Sequence, residues 1–579
     1  MCFCTAYGGG SVLPDIHGKS RRRLSRYNRR VKKGSRKAVK YRPIRRKLLT
    51  YVLFGRALTI AFFIALQFLV LIKIDNLLDT YLFRNYWSAH QSLVSLGFMV
   101  YLVNTNKKPE FKLVWMVPVT IAPIFGVLMY LFFSINMGGI GLRKRLRKTT
   151  ARLLKTLKPL PEVQDSLYQN PSVKDLAFYL QSCGFPAYMD SGAAYFPSGE
   201  DNFVDMLVEL EKAEKFIFME YFIIGFGTMW GDILAILKKK AAAGVEVRVM
   251  YDGIGSMMLL PSGYPEYLST LGIKAKTYAP LVPLLSTHQN NRDHRKICVI
   301  DGRIAYTGGI NLSDEYINVQ ERFGYWKDCG IRIEGSAVMN FTAMFLQVWN
   351  VSEKTDDDWE RYLRTDSTPF THAADTPSGM YADQPVPTAV ASSPSYFGGF
   401  IIPYGDDGLN DEDTAEIVYC DILNRARWYV HIVTPYLILD SALENALVYA
   451  ARRGVEVFIL VPSRADHYLT FCIGRTYIKR LIENGVHVAE YLPGFIHSKL
   501  FVSDGERAVV GSINLDYRSL FHHFECAAYI QGNAVVNDVE QDFKRAKEQC
   551  REFTPELYKK IPVHQRMLGR AAKMFDTLL

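Results

Sequence analysis

Two stretches, HRKICVID at residues 294–301 and HSKLFVSD at residues 497–504, decide the fold of this 579-residue chain. Each is followed at the same distance by a glycine-rich tail, GGIN at 308–311 and GSIN at 511–514. A single His-x-Lys-x4-Asp pattern is weak evidence because it also arises by chance. Two copies with matching tails at identical spacing indicate an internal duplication.

Both motifs predict a β-hairpin, because strand-forming residues lead into an Asp-Gly turn and a second apolar run follows. Side chains two positions apart on a strand share a face, so His294 should lie beside Lys296, and His497 beside Lys499. A neutral imidazole beside an ammonium suits attack on an anion, with the histidine as nucleophile or proton donor. These residue types therefore indicate a phosphoryl-transfer site.

The tails predict a phosphate cradle. A glycine-rich turn brings backbone N–H groups toward one point, and the chain after each Asn has the pattern of a helix start, which favours an anion. The residues expected to contact the phosphoryl oxygens are Gly309, Asn311, Ser512 and Asn514.

The acids that end the motifs, Asp301 and Asp504, complete the duplicated pattern as catalytic candidates. Both also stand in Asp-Gly turns, where an aspartate often has a purely structural role. The sequence leaves these two interpretations open.

Two further acids follow the motifs, Asp328 after His294 and Glu525 after His497. Each is expected to accept a hydrogen bond from the histidine of its own half and to fix its tautomer. The alternative is an ordinary carboxylate at a strand end.

The duplication extends upstream, where KKAAAGVEVRVM (239–250) matches YAARRGVEVFIL (449–460). Each copy predicts a helix, a glycine C-cap and a buried strand. Alternating helices and strands indicate an α/β fold with a largely parallel sheet, present twice. The expected domains are residues 136–350 and 396–579, separated by a Pro-, Ser- and Thr-rich linker or surface loop at 351–395.

The N-terminal region has a different composition. Residues 1–47 form a basic arm, predicted to be disordered, with 16 Lys and Arg between residues 19 and 47. Removing these charges from the net charge of +11 leaves about −5, so charge does not imply nucleic-acid binding by the rest. Three apolar runs follow at 48–72, 87–103 and 113–133, with lengths that suit bilayer spans. Residues 48–135 are therefore expected to hold two or three transmembrane helices of a multi-pass membrane protein.

The positive-inside rule places the basic arm in the cytoplasm, and Lys107 with Lys108 places the loop after the second run there as well. A third span would then move the catalytic part outside. The basic cluster at 143–148 opposes that placement, so either one run does not span or the cluster lies on an anionic leaflet. Both alternatives remain.

The nine cysteines have no metal-ligand spacing, and Cys298, Cys329 and Cys526 are expected to be buried thiols. No cluster of His and acids reads as a metal site. We therefore expect chemistry without a metal or a cofactor.

The duplicated motifs resemble those of the phospholipase D superfamily. Further strings, such as APIFG at 122–126, YWKD at 325–328 and GSINLDYRS at 511–519, are similar to bacterial cardiolipin synthases from about residue 87 onward. The chain departs from that pattern at His522-His523, where the family ordinarily has Asn before Phe-Glu.

The resemblance implies two tandem phospholipase D-like domains with one shared active site. It also implies that a histidine attacks one phosphatidylglycerol, releases glycerol and forms a phosphatidyl-histidine, which a second phosphatidylglycerol converts to cardiolipin. By this resemblance His294 is the nucleophile and His497 the acid and base, although the near-symmetry of the motifs also permits the reverse. A phospholipase D hydrolase, a phosphatidylserine synthase and a nuclease use the same motifs and remain alternatives.

Overall fold

The computed structural model describes residues 81–134, 137–279, 291–351, 359–363, 393–409 and 412–578. The predicted basic arm, the apolar run at 48–72 and most of the predicted linker lie outside these described residues.

The first half alternates helices and strands, as predicted. Its helices are α4 (Met137–Thr156), α5 (Pro161–Gln169), α6 (Pro171–Ser182), α7 (Gly199–Glu211), α8 (Thr228–Ala242), α9 (Tyr264–Thr270) and α10 (Val338–Val351). Its strands are β1 (Gly192–Phe196), β2 (Phe216–Tyr221), β3 (Glu246–Asp252), β4 (Lys274–Tyr278), β5 (Lys296–Ile300), β6 (Ile304–Gly308), β7 (Tyr325–Lys327) and β8 (Gly330–Glu334).

The second half repeats this order. Its strands are β9 (Tyr396–Phe397), β10 (Phe400–Asp406), β11 (Tyr429–Val433), β12 (Glu456–Pro462), β13 (His487–Tyr491), β14 (Gly494–Ile496), β15 (Leu500–Ser503), β16 (Arg507–Gly511), β17 (Glu525–Gln531) and β18 (Cys550–Glu552). Its helices are α11 (Thr414–Arg425), α12 (Ser441–Arg452), α13 (Tyr468–Glu483), α14 (Tyr517–Phe521), α15 (Val535–Lys547), α16 (Pro555–Lys559) and α17 (Val563–Ala572).

Each half builds one eight-stranded sheet, in the orders β4-β3-β2-β5-β6-β8-β1-β9 and β10-β17-β16-β15-β11-β12-β13-β18. The prediction of a largely parallel sheet is wrong. Within these two sheets, only the β2-β3-β4 and β11-β12-β13 segments are parallel, and the remaining pairs are antiparallel. Part of the reason is local, because the motif hairpins β5-β6 and β15-β16 join neighbouring strands through three-residue loops, at 301–303 and 504–506. A separate two-stranded sheet pairs β14 with β7 in parallel.

The Asp-Gly turns have the backbone that a tight hairpin requires. Asp301 and Gly302 both have positive φ (55° and 64°), and so do Asp504 and Gly505 (56° and 67°). The Asp301 carboxylate accepts hydrogen bonds from the backbone N–H groups of residues 214–216 at 2.7–2.8 Å. Asp504 accepts the equivalent bonds from residues 427–429 at 2.8–3.0 Å. Each aspartate therefore ties its hairpin to the start of the neighbouring strand, β2 or β11.

The two halves share one core. Helix α10 is buried along its length, and the side chain of Asn340 on it donates to the carbonyl oxygen of Pro403 at 2.8 Å. The strand β9, which the predicted boundary assigns to the second domain, instead pairs with β1 of the first sheet. The thiols of Cys298, Cys329 and Cys526 are buried, as predicted.

Before the first half, three helices pack together: α1 (Tyr81–Val103), α2 (Pro109–Ile121) and α3 (Pro123–Ser134). The apolar run at 87–103 lies within α1. The run at 113–133 is not one helix, because the chain breaks at Ala122 and a new helix begins at Pro123. Across the described part of the chain, no helix has both the length and the apolar character needed to cross a membrane.

The carboxylate of Asp504 should matter for stability. Replacing Asp504 by Ala leaves three backbone N–H groups without their acceptor, so we expect a loss of about 1–3 kcal/mol of folding free energy. A lower thermal midpoint, measured on the purified protein, checks this. Glu506→Ala is the control, because that side chain is 59% exposed two residues away. An unchanged midpoint for Asp504→Ala contradicts the structural role.

Candidate active site

Short parallel pairings between the halves bring the two motifs together. Strand β14, which leads into His497, pairs with β7, and His497 N–H donates to the carbonyl oxygen of Lys327 at 2.7 Å. In the other copy, Asp293 pairs with Phe524, and His294 N–H donates to the carbonyl oxygen of Phe524 at 2.9 Å. Lys327 immediately precedes Asp328, and Phe524 immediately precedes Glu525. Each motif histidine therefore lies close to the acid of the opposite half.

The histidine–carboxylate pairs follow from this crossing. Nδ1 of His294 lies 2.8 and 3.0 Å from the two carboxylate oxygens of Glu525, and Nδ1 of His497 lies 2.6 Å from Oδ2 of Asp328. The prediction that each acid orients the histidine of its own half is wrong, because the parallel pairing sets opposite halves in register. Both Nε2 atoms are left as the nitrogens that can face a substrate.

The motif lysines lie beside their histidines, as the strand spacing predicts. Lys296 and Lys499 each donate from Nζ to the carbonyl oxygen of the histidine two residues earlier. The Lys499 Nζ also lies 2.8 Å from Nδ1 and 2.9 Å from Nε2 of His497. Two ammonium groups therefore line one buried centre.

Burial keeps the imidazoles neutral. It lowers the pKa of His294 to about 3, against the attraction of Glu525. Burial, with Lys499 as the next cause, lowers the pKa of His497 to about 4. A neutral imidazole whose Nδ1 proton is held by a carboxylate has a free lone pair on Nε2, which is the form that a nucleophile or a general base requires.

The charged groups around the histidines are balanced. Burial lowers the pKa of Lys296 to about 7 and that of Lys499 to about 8. Although burial opposes ionisation of the acids, His294 holds the pKa of Glu525 well below its usual range, and His497 and Lys499 lower that of Asp328. The centre therefore holds two carboxylates against two lysines whose protons are easily lost.

The Gly309 and Ser512 positions serve the carboxylates. A methyl group at Gly309 would lie 2.1 Å from Oδ1 of Asp328, so only glycine leaves room for that acid. At the equivalent position, the Ser512 hydroxyl donates to Glu525, and Ser512 N–H donates to the carbonyl oxygen of Cys526 at 2.8 Å. Both residues therefore adjoin a carboxylate, and their backbone N–H groups, which were predicted to face a phosphate, donate to the carbonyl oxygens of Cys329 and Cys526. The predicted contact with phosphate stays a prediction.

The tail asparagines are buried and bonded within their own halves. Asn311 accepts from the N–H of Ile223 at 3.0 Å and donates to the Tyr316 hydroxyl at 2.8 Å. Asn514 donates to the Ser519 hydroxyl at 3.1 Å. The helices predicted to start at these residues begin three residues later, as a short 3-10 helix at Asp314–Ile317 and the five-residue α14.

Asp301 and Asp504 lie at the wrong end of their strands for chemistry. Each lies seven positions after its motif histidine, a length of about 23 Å in fully extended chain. Their carboxylates hold turns, so the structural alternative replaces the catalytic one.

His523 is an active-site residue that the motif patterns did not identify. Its ring centroid lies 5.7 Å from that of His294, its Nδ1 lies 3.8 Å from Oε1 of Glu525, and the residue is 9% exposed. The signal in the sequence was its position two residues before Glu525, where the family ordinarily has Asn.

One group among the described residues has a donor set that a metal ion can use, namely His294, His523 and Glu525, with donor atoms within 4.8 Å of one another. Glu525 already bonds Nδ1 of His294 and the Ser512 hydroxyl, and Lys296 lies nearby as a competing cation. This group is the place where the expectation of metal-free chemistry is open to test.

The sequence is similar to those of known proteins. A family model described as "Cardiolipin synthase, PLD-like domain" matches residues 206–349 and 419–547, and one described as "Phospholipase_D-nuclease N-terminal" matches residues 93–134. A cardiolipin synthase of Geobacillus thermodenitrificans is 32% identical, covering 79% of this chain and 86% of that protein. Cardiolipin synthase 2 of Bacillus cereus is 29% identical, covering 84% and 89%.

Among solved structures, a phosphatidylserine synthase of Haemophilus influenzae is 14% identical with a TM-score of 0.49, covering 67% of this chain and 95% of that one. The family assignment rests on the sequence matches, of which the Geobacillus thermodenitrificans protein exceeds 30% identity over most of both chains. On these matches and on its duplicated site, the chain belongs to the cardiolipin synthase family of the phospholipase D superfamily.

Proposed function

We propose that this protein is a membrane-bound phosphatidyltransferase that condenses two phosphatidylglycerol molecules to cardiolipin and glycerol. The observation that carries the proposal is the crossed pair of histidines, each neutral, buried and oriented by a carboxylate of the other half. Two imidazoles in one centre supply both a nucleophile and an acid for a phosphodiester exchange.

The reaction then proceeds in two displacements. Nε2 of one histidine attacks the phosphorus of a phosphatidylglycerol, and the bond from phosphorus to the glycerol oxygen breaks. The other histidine, which takes up a proton at Nε2 when the anionic phosphodiester enters the site, delivers that proton to the glycerol oxygen, and free glycerol leaves. The same histidine next removes the proton from a hydroxyl of a second phosphatidylglycerol, whose oxygen attacks phosphorus, displaces the first histidine and completes cardiolipin.

The chain's own groups support each step. Lys296 and Lys499 place positive charge where the phosphoryl oxygens gain negative charge, and we propose that Asn311 and Asn514 help to hold those oxygens. Glu525 and Asp328 keep the Nδ1 protons in place and stabilise the imidazolium that forms during each proton transfer.

His294 is the better candidate for the nucleophile. The ammonium of Lys499 is nearly equidistant from the two ring nitrogens of His497, 2.8 Å from Nδ1 and 2.9 Å from Nε2, and its positive charge makes that imidazole a weaker nucleophile. For His294, the side-chain hydrogen bonds found among the described residues are at Nδ1, with Glu525. This asymmetry favours His294 as nucleophile and His497 as acid and base.

A lipid substrate also fits the N-terminal region. The apolar runs at 48–72 and 87–103 support a multi-pass protein of the cell membrane, and the charge balance outside the basic arm gives no basis for nucleic-acid binding. A bilayer concentrates the second phosphatidylglycerol near the intermediate, which favours transfer over hydrolysis.

The products from phosphatidylglycerol vesicles test the function directly. Because one phosphodiester replaces another, the equilibrium constant should be near unity, and added glycerol should suppress cardiolipin. Starting from cardiolipin, glycerol should regenerate phosphatidylglycerol. Lipid mass spectrometry checks both directions. Phosphatidic acid as the main product, with no glycerol effect, identifies a hydrolase instead.

The histidine roles predict different single variants. His294→Ala and His497→Ala should each lower turnover by several orders of magnitude, since the residues act as one unit. Only His497→Ala should still trap the phosphatidyl group on protein, on His294, as seen by mass spectrometry of the quenched enzyme. His467→Ala is the control, because that side chain is 75% exposed. A trapped group on His497 reverses the assignment.

The close approach of Gly309 to Asp328 predicts a positioning effect. Gly309→Ala should displace the Asp328 carboxylate from His497 and lower kcat by roughly 100-fold, with the fold intact. Gly231→Ala is the matched control, since a methyl group there meets nothing within 4 Å. If kcat of Gly309→Ala matches that of Gly231→Ala, Asp328 does not orient His497.

We also expect turnover that does not depend on a metal ion. Two lysines already supply positive charge for the phosphoryl group, so prolonged treatment with a chelator should leave turnover unchanged. The contrary result is a loss of turnover that one divalent ion restores in the parent protein but not in His523→Asn. That result would assign a metal to the group of His294, His523 and Glu525.

A further inference from the structure

The apolar segment at 109–134 reverses its direction halfway. On α2 and α3, the rings of Trp115 and Tyr130 meet with centroids 5.4 Å apart, and a methyl group at Gly126 would lie 2.5 Å from the backbone of Val119. The contacting pairs, Trp115 with Tyr130 and Val119 with Gly126, lie on opposite sides of Ala122, and the pair nearer to Ala122 is also nearer in sequence. This pattern is that of an antiparallel helical hairpin. The absence of a side chain at Gly126 lets the two helices touch at the backbone next to the turn.

Both ends of this hairpin are attached to the catalytic body. Before it, the Lys108 ammonium lies 3.2 Å from Asp413 and also contacts Glu416, and Phe111 packs edge-on against Phe521 with centroids 5.8 Å apart. After it, Arg145 on α4 donates to the carbonyl oxygen of Val351 at 3.2 Å. The chain therefore leaves the catalytic body and returns to it.

The free end of the hairpin is exposed and apolar. Ile121 at the turn is 79% exposed, and two stripes of exposed apolar side chains follow the outer faces of the two helices. These side chains are Leu113, Val117, Ile124, Leu128 and Leu131. No charged residue stands between Lys112 and the end of α3. The hydroxyl of Thr120 donates back to the carbonyl oxygen of Met116 at 2.8 Å, so it needs no water.

We propose that α2 and α3 form a re-entrant hairpin that enters one leaflet of the bilayer and leaves on the same side. From Lys112 to Ile121 the helix rises about 14 Å, which is about half of the roughly 30 Å hydrocarbon core. Exposed apolar stripes on both helices suit lipid on several sides better than a protein partner on one face.

The charges beside the hairpin agree with this placement. Lys107 and Lys112 stand at its beginning, and the exposed Lys144 and Arg147 follow its end. A hairpin puts all of these basic groups on one side, where anionic headgroups lie, whereas a span would separate them. The conflict between the basic cluster at 143–148 and a third span then disappears.

The hairpin also relates the bilayer to the active site. Phe111 at its base contacts the His522 ring at 5.5 Å, and the next residue is His523, which lies beside His294. The catalytic centre is thereby held at the membrane surface on the side from which the hairpin enters. The placement of the hairpin rests on the proposed function only in that both require the protein to lie at a bilayer.

Two measurements on the full chain, neither requiring turnover, test the hairpin. In bacterial membrane vesicles of both orientations, Lys112→Cys and Lys144→Cys are treated with an impermeant maleimide, and the labelled peptides are identified by mass spectrometry. We expect both positions to react in the same vesicle orientation. Reaction in opposite orientations would show a continuous span and overturn the proposal.

The second measurement probes depth. A photoreactive benzoyl-phenylalanine is placed at residue 121, or at residue 428, a control whose native Trp428 is 74% exposed on the catalytic body. On irradiation in phosphatidylglycerol vesicles, position 121 should gain the mass of a lipid at least 10-fold more often than position 428. Equal, low lipid attachment, or attachment to protein instead, overturns the proposal even if cardiolipin is made.

Discussion

The active site depends on hydrogen bonds that cross between the two halves of the chain. Neither motif histidine is oriented by a carboxylate of its own half, because His294 is oriented by Glu525 and His497 by Asp328. The crossing is set by backbone pairing of β14 with β7 and of Asp293 with Phe524. A half that folded alone would leave its histidine without the acid that holds the Nδ1 proton.

This crossing also explains the burial of the site. Residues that bring charge into a shared core lose solvation, so they must be paired or neutral. Here the histidines are neutral, the acids are bonded to them, and the lysines have lowered pKa values. The same burial that makes ionisation costly keeps the two imidazoles neutral, which is the form that a nucleophile or a general base requires.

Glycine has two unrelated uses around this centre. At Gly309 the missing side chain makes room for Asp328, and at Gly126 it lets two apolar helices touch. The first use shapes the chemistry, and the second shapes the segment that we place in the bilayer. Phe111, at the base of the hairpin, packs against the rings of Phe521 and His522, so the two regions are in contact.

Local patterns in the sequence were enough to predict the duplication, the motif hairpins, the pairing of His with Lys on one face, and the helix–glycine–strand units, with Gly244 and Gly454 at positive φ. Each of these depends on residues close in the chain, so spacing and turn chemistry suffice. The exchange of acids between halves, the role of Gly309, the place of His523 and the reversal of the apolar segment at Ala122 required the folded structure. Most of these features depend on contacts between residues that are distant in the chain. The reversal at Ala122 depends on packing, which selects one of two conformations that the local sequence allows. The spacing of residues along the chain predicts neither.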